Sequence, residues 1–329
     1  MQGRRARFER DRDRLVGSRA FRRLAGKTQV VALPSDPLVR TRLTHTLEVS
    51  SIARELGRGL AGLGTVEPLI EAIALGHDLG HPAFGHAGER ALAAIVPGGF
   101  HHAAHGVRVV TELEPGLDLS PETVEGILKH SKGRAGPVFA SGGGLATLSL
   151  EALVVRAADL YAYASHDLDD AYLLGELRPR DLPARVVSVL GAEPSQVRRV
   201  LVQRTIQSTL SRGDVSLEAE ADGALDELRA FLYERLYEAP RIARQTALVR
   251  SLVEGLWESA CKRPLQFLAA IAPHGVATRP GVSTAGAFVD AVASMTDRQV
   301  LEVCRSLRLA RPVWGLPRGG SASQLSQAK

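Results

Sequence analysis

Between His77 and Glu89 the chain reads His-Asp-Leu-Gly-His-Pro-Ala-Phe-Gly-His-Ala-Gly-Glu, which puts three histidines and two carboxylates within thirteen positions. Histidine and aspartate are poor core fillers, so this cluster, set among glycines at the end of an apolar helix, points to metal coordination and proton transfer. Nine of the ten histidines lie between His45 and His166, which places the site in the first half of the chain. Neighbours on a helix diverge by about 100°, so His77 and Asp78 converge on one ion only at a helix end that faces a groove. The remaining ligands must come from other elements. The candidates are His45, on the preceding long helix, and Asp159, on the long helix that follows. Alone, either one reads as a capped or salt-bridged side chain. Together, two imidazoles and two carboxylates suit a divalent ion such as Mn, Mg, Fe or Zn, with water in the open positions. A zinc-peptidase arrangement from His77 and His81, four apart, is weaker. Its acid would be Asp78, one methylene shorter than the usual glutamate, and Gly80 with Pro82 would break the helix presenting both histidines.

The elements that must position these residues follow a helical period almost throughout. Residues 8–25 read as a helix with a short continuation. Val30 to Leu33 is a short β-branched run before a Pro34-Ser35-Asp36-Pro37 turn. Helices are predicted over 41–60, 67–79, about 87–96, 102–113 and 121–130, and Pro121 follows a Ser120 start. Gly133 to Gly144 reads as a mobile surface loop, and 149–174 as a long helix carrying Asp159, Tyr163, His166, Asp167, Asp169 and Asp170. The helical pattern continues over 197–210, 224–237, 242–260 and 286–307. The expectation is an all-α chain organised as one unit over 1–329. It has a basic segment at 1–40, a catalytic core at about 40–175, a helical part at 180–311 and a flexible tail at 312–329.

With 45% hydrophobic and 23% charged residues, the composition is that of a soluble globular protein long enough to bury a substantial core. Cys261 and Cys304 make no disulfide framework and have no metal-ligand spacing, so both read as buried thiols in a reducing compartment. No segment has the uncharged length a membrane span needs, and the expected location is cytoplasmic. The net charge is +5, and residues 1–42 hold twelve Arg or Lys against four acids. Any single arginine there reads as solvated surface, while the excess as a whole suits an anionic substrate. Aromatic residues are 5% and do not interleave with these arginines, so no nucleic-acid stacking platform is evident.

Six stretches carry a resemblance: ERDRDRLVGSRAFRRLAGKTQV at 9–30, RTRLTHTLEV at 40–49, ALGHDLGHPAFGHAGE at 74–89, GGF-HH with RVV at 98–110, GILKHS at 126–131, and SLEALVVRAADLYAYASHDLDD at 149–170. A weaker echo, SMTDR, lies at 294–298. In this order they resemble the HD-domain phosphohydrolases, and within them the bacterial dGTPase-like deoxynucleoside triphosphate triphosphohydrolases. The resemblance implies hydrolysis of a dNTP to deoxynucleoside and inorganic triphosphate. It implies metal ligation by His45, His77, Asp78 and Asp159, and catalysis by His86 and Glu89. His81 and His102 would line the triphosphate, with His102 also counted among the catalytic groups. Arg42, Lys129 and, less directly, Arg23 would contact phosphates. Sugar discrimination would fall to Gln29, Tyr163 and Asp167. Tyr163 and Asp167 lie four and eight residues after Asp159 and so share its helix face. A nucleotide activator and self-association into dimers or hexamers are further implications.

The sequence departs from the family pattern at His101-His102-Ala103-Ala104-His105, where many relatives have an acid, a histidine and an asparagine. Leu160 replaces a charged residue and Ala83 a proline. Two other functions remain open at this stage. One is an HD-type phosphatase or phosphodiesterase on another nucleotide, and the other is a non-catalytic nucleotide-binding regulator.

Overall fold

The computed structural model describes residues 2–30, 36–131, 148–276 and 281–309. The chain is all-α, as its periodicity predicts. In order, the helices are α1 (Gln2–Gly17), α2 (Arg19–Arg23), α3 (Arg42–Gly59), α4 (Glu67–Gly76), α5 (Gly85–Ile95), α6 (His102–Arg108), α7 (Pro121–Lys129) and α8 (Leu150–Leu173). They continue as α9 (Ala184–Val189), α10 (Pro194–Arg212), α11 (Ala219–Leu232), α12 (Pro240–Lys262), α13 (Pro264–Ile271), α14 (Thr284–Ser294) and α15 (Asp297–Ser306). Among the described residues the one β pairing is an isolated antiparallel bridge between Thr28 and Thr41. The turn at Pro34, the loop at 133–144 and the tail from 312 lie outside the described residues.

The centre is α3, α4 and α8. On α3 the buried residues Val49, Ile52, Ala53 and Leu56 repeat at helical spacing, and on α4 Leu69, Ile70, Ile73 and Ala74 do the same. Both stripes face α8, whose buried Ala157, Ala158, Ala162 and Ala164 let neighbouring helices approach closely. Start signals set the helix registers. Thr41 and Thr44 form a reciprocal cap on α3, and Ser149 accepts the Ala152 amide on α8. The N-terminus of α7 is capped from outside the helix. The buried Asp11 carboxylate of α1 accepts the Ser120 amide at 3.1 Å and the Thr123 hydroxyl at 2.7 Å.

A second apolar cluster joins α5 to the C-terminal helices, packing Ala83, Phe84 and Leu92 with Val249, Leu252, Phe288 and Val300. The segment between α4 and α5 is thus gripped from both sides. The buried Asp297 at the start of α15 accepts the Phe84 amide at 2.7 Å and the Thr28 amide at 3.0 Å, and also takes the Thr28 hydroxyl. That grip holds Phe84 in the left-handed region at φ 62°, a conformation uncommon for a bulky side chain that costs on the order of 1–3 kcal/mol.

Several boundaries differ from the sequence reading. The helix expected over 286–307 is two helices. It breaks at Met295 because Thr296 caps α15 through a reciprocal box with Gln299, a Thr-x-x-Gln start readable in the sequence. The helix expected to 113 changes to a π turn over Val109–Leu113. Cys304 is buried, but Cys261 is exposed, contrary to expectation, because it lies on the outer side of the last turn of α12.

Gly80 gives the sharpest packing constraint near the site. A Cβ there would lie 2.0 Å from the His102 carbonyl oxygen and 2.3 Å from the Gly106 nitrogen, both backbone atoms of α6. Gly80→Ala must therefore push α6 off the loop, and a destabilisation of about 3 kcal/mol is expected. Urea denaturation of the two proteins checks this, and a change below about 0.5 kcal/mol would contradict the close approach.

Candidate active site

The helix α4 ends at Gly76, so His77 and Asp78 lie in the turn beyond it and are free to converge. His77 Nε2 stands 3.4 Å from Asp78 Oδ1 and 3.6 Å from Asp159 Oδ1. His45 Nε2, from the first turn of α3, is 3.1 Å from Asp159 Oδ1 on α8. Three helical segments remote in sequence thus bring His45, His77, Asp78 and Asp159 together. The break after Gly76 also removes the helix face that a His77–His81 peptidase site would need.

These residues suit a divalent cation. The His77 Nδ1–H donates to the Ala74 carbonyl at 2.6 Å, which leaves Nε2, buried and with no hydrogen-bond partner, as the position that takes a proton or a cation. Although burial disfavours a charged imidazole, the Asp78 and Asp159 carboxylates outweigh it and raise His77 to about 9. Burial also works against the Asp78 carboxylate, yet the Arg42 guanidinium and the neighbouring histidines hold it well below the usual range. A position that draws protons so strongly, with N and O donors from His45, His77 and Asp78 within 4.8 Å of one another, suits a metal ion.

Beside this set lies a second group built on Glu89. Its carboxylate accepts the His102 backbone amide at 2.9 Å and the His102 Nδ1–H at 2.8 Å, and it reaches His86 Nδ1 at 3.4 Å. Burial alone would raise the Glu89 pKa, but its bonds to His102 and His86 hold it far below the ordinary carboxylate range. Because the ionised carboxylate only accepts, His86 carries its proton on Nδ1 and presents the Nε2 lone pair. That atom is met by the Tyr163 hydroxyl at 2.8 Å. The His86 side chain is 42% exposed, whereas His45, His77 and Asp78 are buried and Asp159 is 21% exposed, so it stands at the mouth of the site. His81 stacks on His102 with ring centroids 4.0 Å apart.

The other sequence candidates divide. Arg42 is wholly buried and spends Nη1 on Asp78 Oδ2 at 2.5 Å, leaving Nε and Nη2 without a partner. Gln29 is buried with neither amide atom paired, an arrangement that costs free energy unless a ligand completes it. Tyr163 lies over the His45 ring at 4.8 Å. Asp167 is buried, and burial followed by the nearby Asp170 charge pushes its carboxyl well up; its oxygen accepts the Tyr237 hydroxyl. Lys129, by contrast, points its ammonium at Glu125 one turn back on α7. The Arg23 guanidinium donates to the Gly275 carbonyl at 3.2 Å, in a separate cleft it shares with Arg19 and Glu114.

His130 and Tyr237 carry no assignment from the sequence. His130 follows Lys129 in the quoted GILKHS stretch, and its Nε2 lies 3.3 Å from His102 Nε2. Tyr237 has no local signal, since its partner Asp167 is 70 residues away.

Comparison with known proteins identifies the family. The HD domain family matches residues 42–164, and the phosphohydrolase-associated domain matches residues 215–306. The deoxyguanosinetriphosphate triphosphohydrolase-like protein of Caldanaerobacter subterraneus subsp. tengcongensis is 39% identical over 312 residues, 93% of this chain and 86% of that one. The like-named protein of Desulfatibacillum aliphaticivorans is 38% identical over 302 residues, 89% and 85% of the two chains. The chain belongs to the dGTPase-like HD-domain phosphohydrolases. A crystal structure of a hypothetical protein from Aquifex aeolicus aligns with TM-score 0.46 and 22% identity over 82% of this chain and 68% of that one. The family match and the histidine–aspartate cluster together support a metal-dependent hydrolase of nucleotide phosphates.

Two departures from the family pattern now have a physical setting. His101, where many relatives carry an acid, caps α6 through its own ring nitrogen, which accepts the Ala103 amide at 3.3 Å. Leu160 belongs to the central apolar cluster.

Behind the HD motif, the buried Lys27 ammonium donates to the carbonyls of His81 (2.7 Å) and Ala293 (2.8 Å), tying the turn after α4 to α14. Burial, then the Arg23 and Arg42 charges, lowers Lys27 from 10.5 to about 7. Between pH 7 and 10.5 the unfolded chain keeps a proton that the folded protein has lost, so this group makes stability rise with pH across that window. Below pH 7 its full penalty is present. Denaturation at pH 7, 8.5 and 10 is expected to show a steeper rise for the wild type than for Lys27→Met; parallel pH profiles would contradict it.

Proposed function

We propose that the protein hydrolyses deoxynucleoside triphosphates to deoxynucleoside and inorganic triphosphate. The observation that carries this is the adjacency of two units. A largely buried four-residue cation site abuts a solvent-facing histidine, and one side chain, Tyr163, touches both, its ring against the His45 ring and its hydroxyl against His86 Nε2. The names borne by relatives that cover most of the chain favour the triphosphate substrate.

A divalent ion held by His45, His77, Asp78 and Asp159 would polarise a phosphoryl oxygen and acidify a bound water. His86 exchanges the proton. Its Nε2 lone pair can take a proton from water or return one to the departing 5′ oxygen, while Glu89 keeps the ring in that tautomer and balances the imidazolium charge. Arg42 offers its two unpartnered N–H groups next to Asp78, and His81 and His102 form a stacked wall beside Glu89. Substrate must displace the Tyr163 hydroxyl from His86, which puts that phenol against the sugar. Gln29 and Asp167, both buried and polar, complete the sugar pocket in this reading.

A panel of the four dNTPs and four NTPs with Mn tests the reading. Turnover confined to dNTPs, with triphosphate as product, is expected, and Tyr163→Ala should bring the dNTP and NTP rates toward parity. Pyrophosphate with a nucleoside monophosphate as products would refute the proposal and favour another nucleotide hydrolase.

A further inference from the structure

Resting on the proposed function above, we infer that Asp297 is a positioning residue for two parts of the site at once, the sugar contact of Gln29 and the proton-transfer histidine His86. The SMTDR stretch at 294–298 supplies it. Asp297 is buried at the first position of α15, where the helix dipole favours a carboxylate. Its two oxygens serve different arms of the chain. Oδ1 accepts the Phe84 amide at 2.7 Å, while Oδ2 accepts the Thr28 amide at 3.0 Å and the Thr28 hydroxyl. The residues before Thr28 run along the same corner. A Cβ on Gly26 would lie 2.7 Å from the Thr296 side chain, and Lys27 donates to the Ala293 carbonyl at 2.8 Å. Residues 26–28 are thus laid against 293–297.

Neither Gln29 nor His86 is held firmly by its own side chain. Both amide atoms of the buried Gln29 lack a partner, so the backbone sets its place. Thr28, one residue before it, is held by Asp297 and by the isolated bridge to Thr41. His86 is the second residue of α5, whose start at Phe84 has no side-chain cap. Its ring reaches Glu89 at 3.4 Å, and its other contact, the Tyr163 hydroxyl, gives way when substrate enters in the proposed reading. The Phe84 amide on Asp297 therefore fixes where α5 begins, and His86 with it. The two arms also touch each other. A Cβ on Gly85 would lie 2.8 Å from the Thr28 carbonyl oxygen, 3.0 Å from that of Gln29 and 3.0 Å from Arg42 Nη2. One carboxyl group thus sets the spacing between the sugar contact, the histidine and the guanidinium offered to phosphate, and groups so placed act only within a narrow tolerance.

The test separates positioning from plain stability. Asp297→Asn keeps the shape but accepts from one arm only, since its amide NH2 meets the donors of the other. Thr28→Val removes the hydroxyl alone. Thr209→Val, which deletes a hydrogen bond from the Ser216 amide to α10, a helix that carries no site residue, is the stability control. Each Mn-loaded protein, checked for folding by circular dichroism, is assayed with dNTPs and NTPs below every unfolding transition. Asp297→Asn is expected to keep its Mn, to lose about 10²-fold in kcat, the cost of roughly 1 Å of misplacement, and to lose about tenfold in preference for dNTP over NTP. Thr28→Val should lose preference with a smaller loss of kcat, and it carries the test if Asp297→Asn does not fold. Thr209→Val should lower Tm alone. Wild-type kcat and preference in Asp297→Asn and Thr28→Val, or a loss of kcat with the preference untouched, would overturn the inference and leave the proposed function standing. A wild type that turns over no dNTP would overturn the proposed function and this inference with it.

Discussion

His86→Ala is expected to lower kcat by about 10²- to 10⁴-fold, the usual contribution of a positioned proton-transfer group, while leaving the bound metal unchanged. Its ring contacts Glu89 and Tyr163 but none of the four residues of the cation set by hydrogen bond. The loss should therefore fall on turnover, with KM changing little. Glu89→Ala should cost at least as much, because the same carboxylate fixes both His86 and His102. Steady-state kinetics alongside elemental analysis check both. Unchanged kcat in His86→Ala would remove this histidine from the chemistry.

The second large effect is on the metal. His77→Ala removes the one imidazole whose Nε2 is buried, unpartnered and directed between two carboxylates. Changes to residues that merely support a ligand cost about 10- to 100-fold in metal affinity, so removing the ligand itself should cost more than about 100-fold. Asp159→Ala should act in the same direction, since its oxygen lies within 3.6 Å of both His45 and His77. Activity is expected to vanish in both variants at micromolar Mn. Full activity at wild-type Mn levels would show that the cation is held elsewhere.

The histidine–aspartate cluster was readable because its chemistry is dense in sequence. His77 and Asp78 are adjacent, the glycine and proline beyond them end the helix, and His45 and Asp159 stand on the two strongest flanking helices. Helix positions were legible wherever an apolar stripe runs uninterrupted, as on α3 and α4. Contacts made by the tertiary fold were not. Asp297 grips Thr28 and Phe84 from more than two hundred residues away, and nothing in a Thr-Asp-Arg stretch announces it. His130 lies in a recognised stretch, but its meaning depends on His102 arriving from α6. Lys27 reads as one more charge in a basic segment until burial places it under the His81 carbonyl. The break before α15 is different in kind, since the Thr296 and Gln299 start signal was present and the apolar pattern masked it.

The most direct test of the account is hydrolysis of a dNTP by the Mn-loaded protein in ¹⁸O-water, with mass analysis of both products. Attack of water at the α-phosphorus predicts ¹⁸O in inorganic triphosphate and an unlabelled deoxynucleoside. Label in the deoxynucleoside, or release of pyrophosphate with a nucleoside monophosphate, would contradict it.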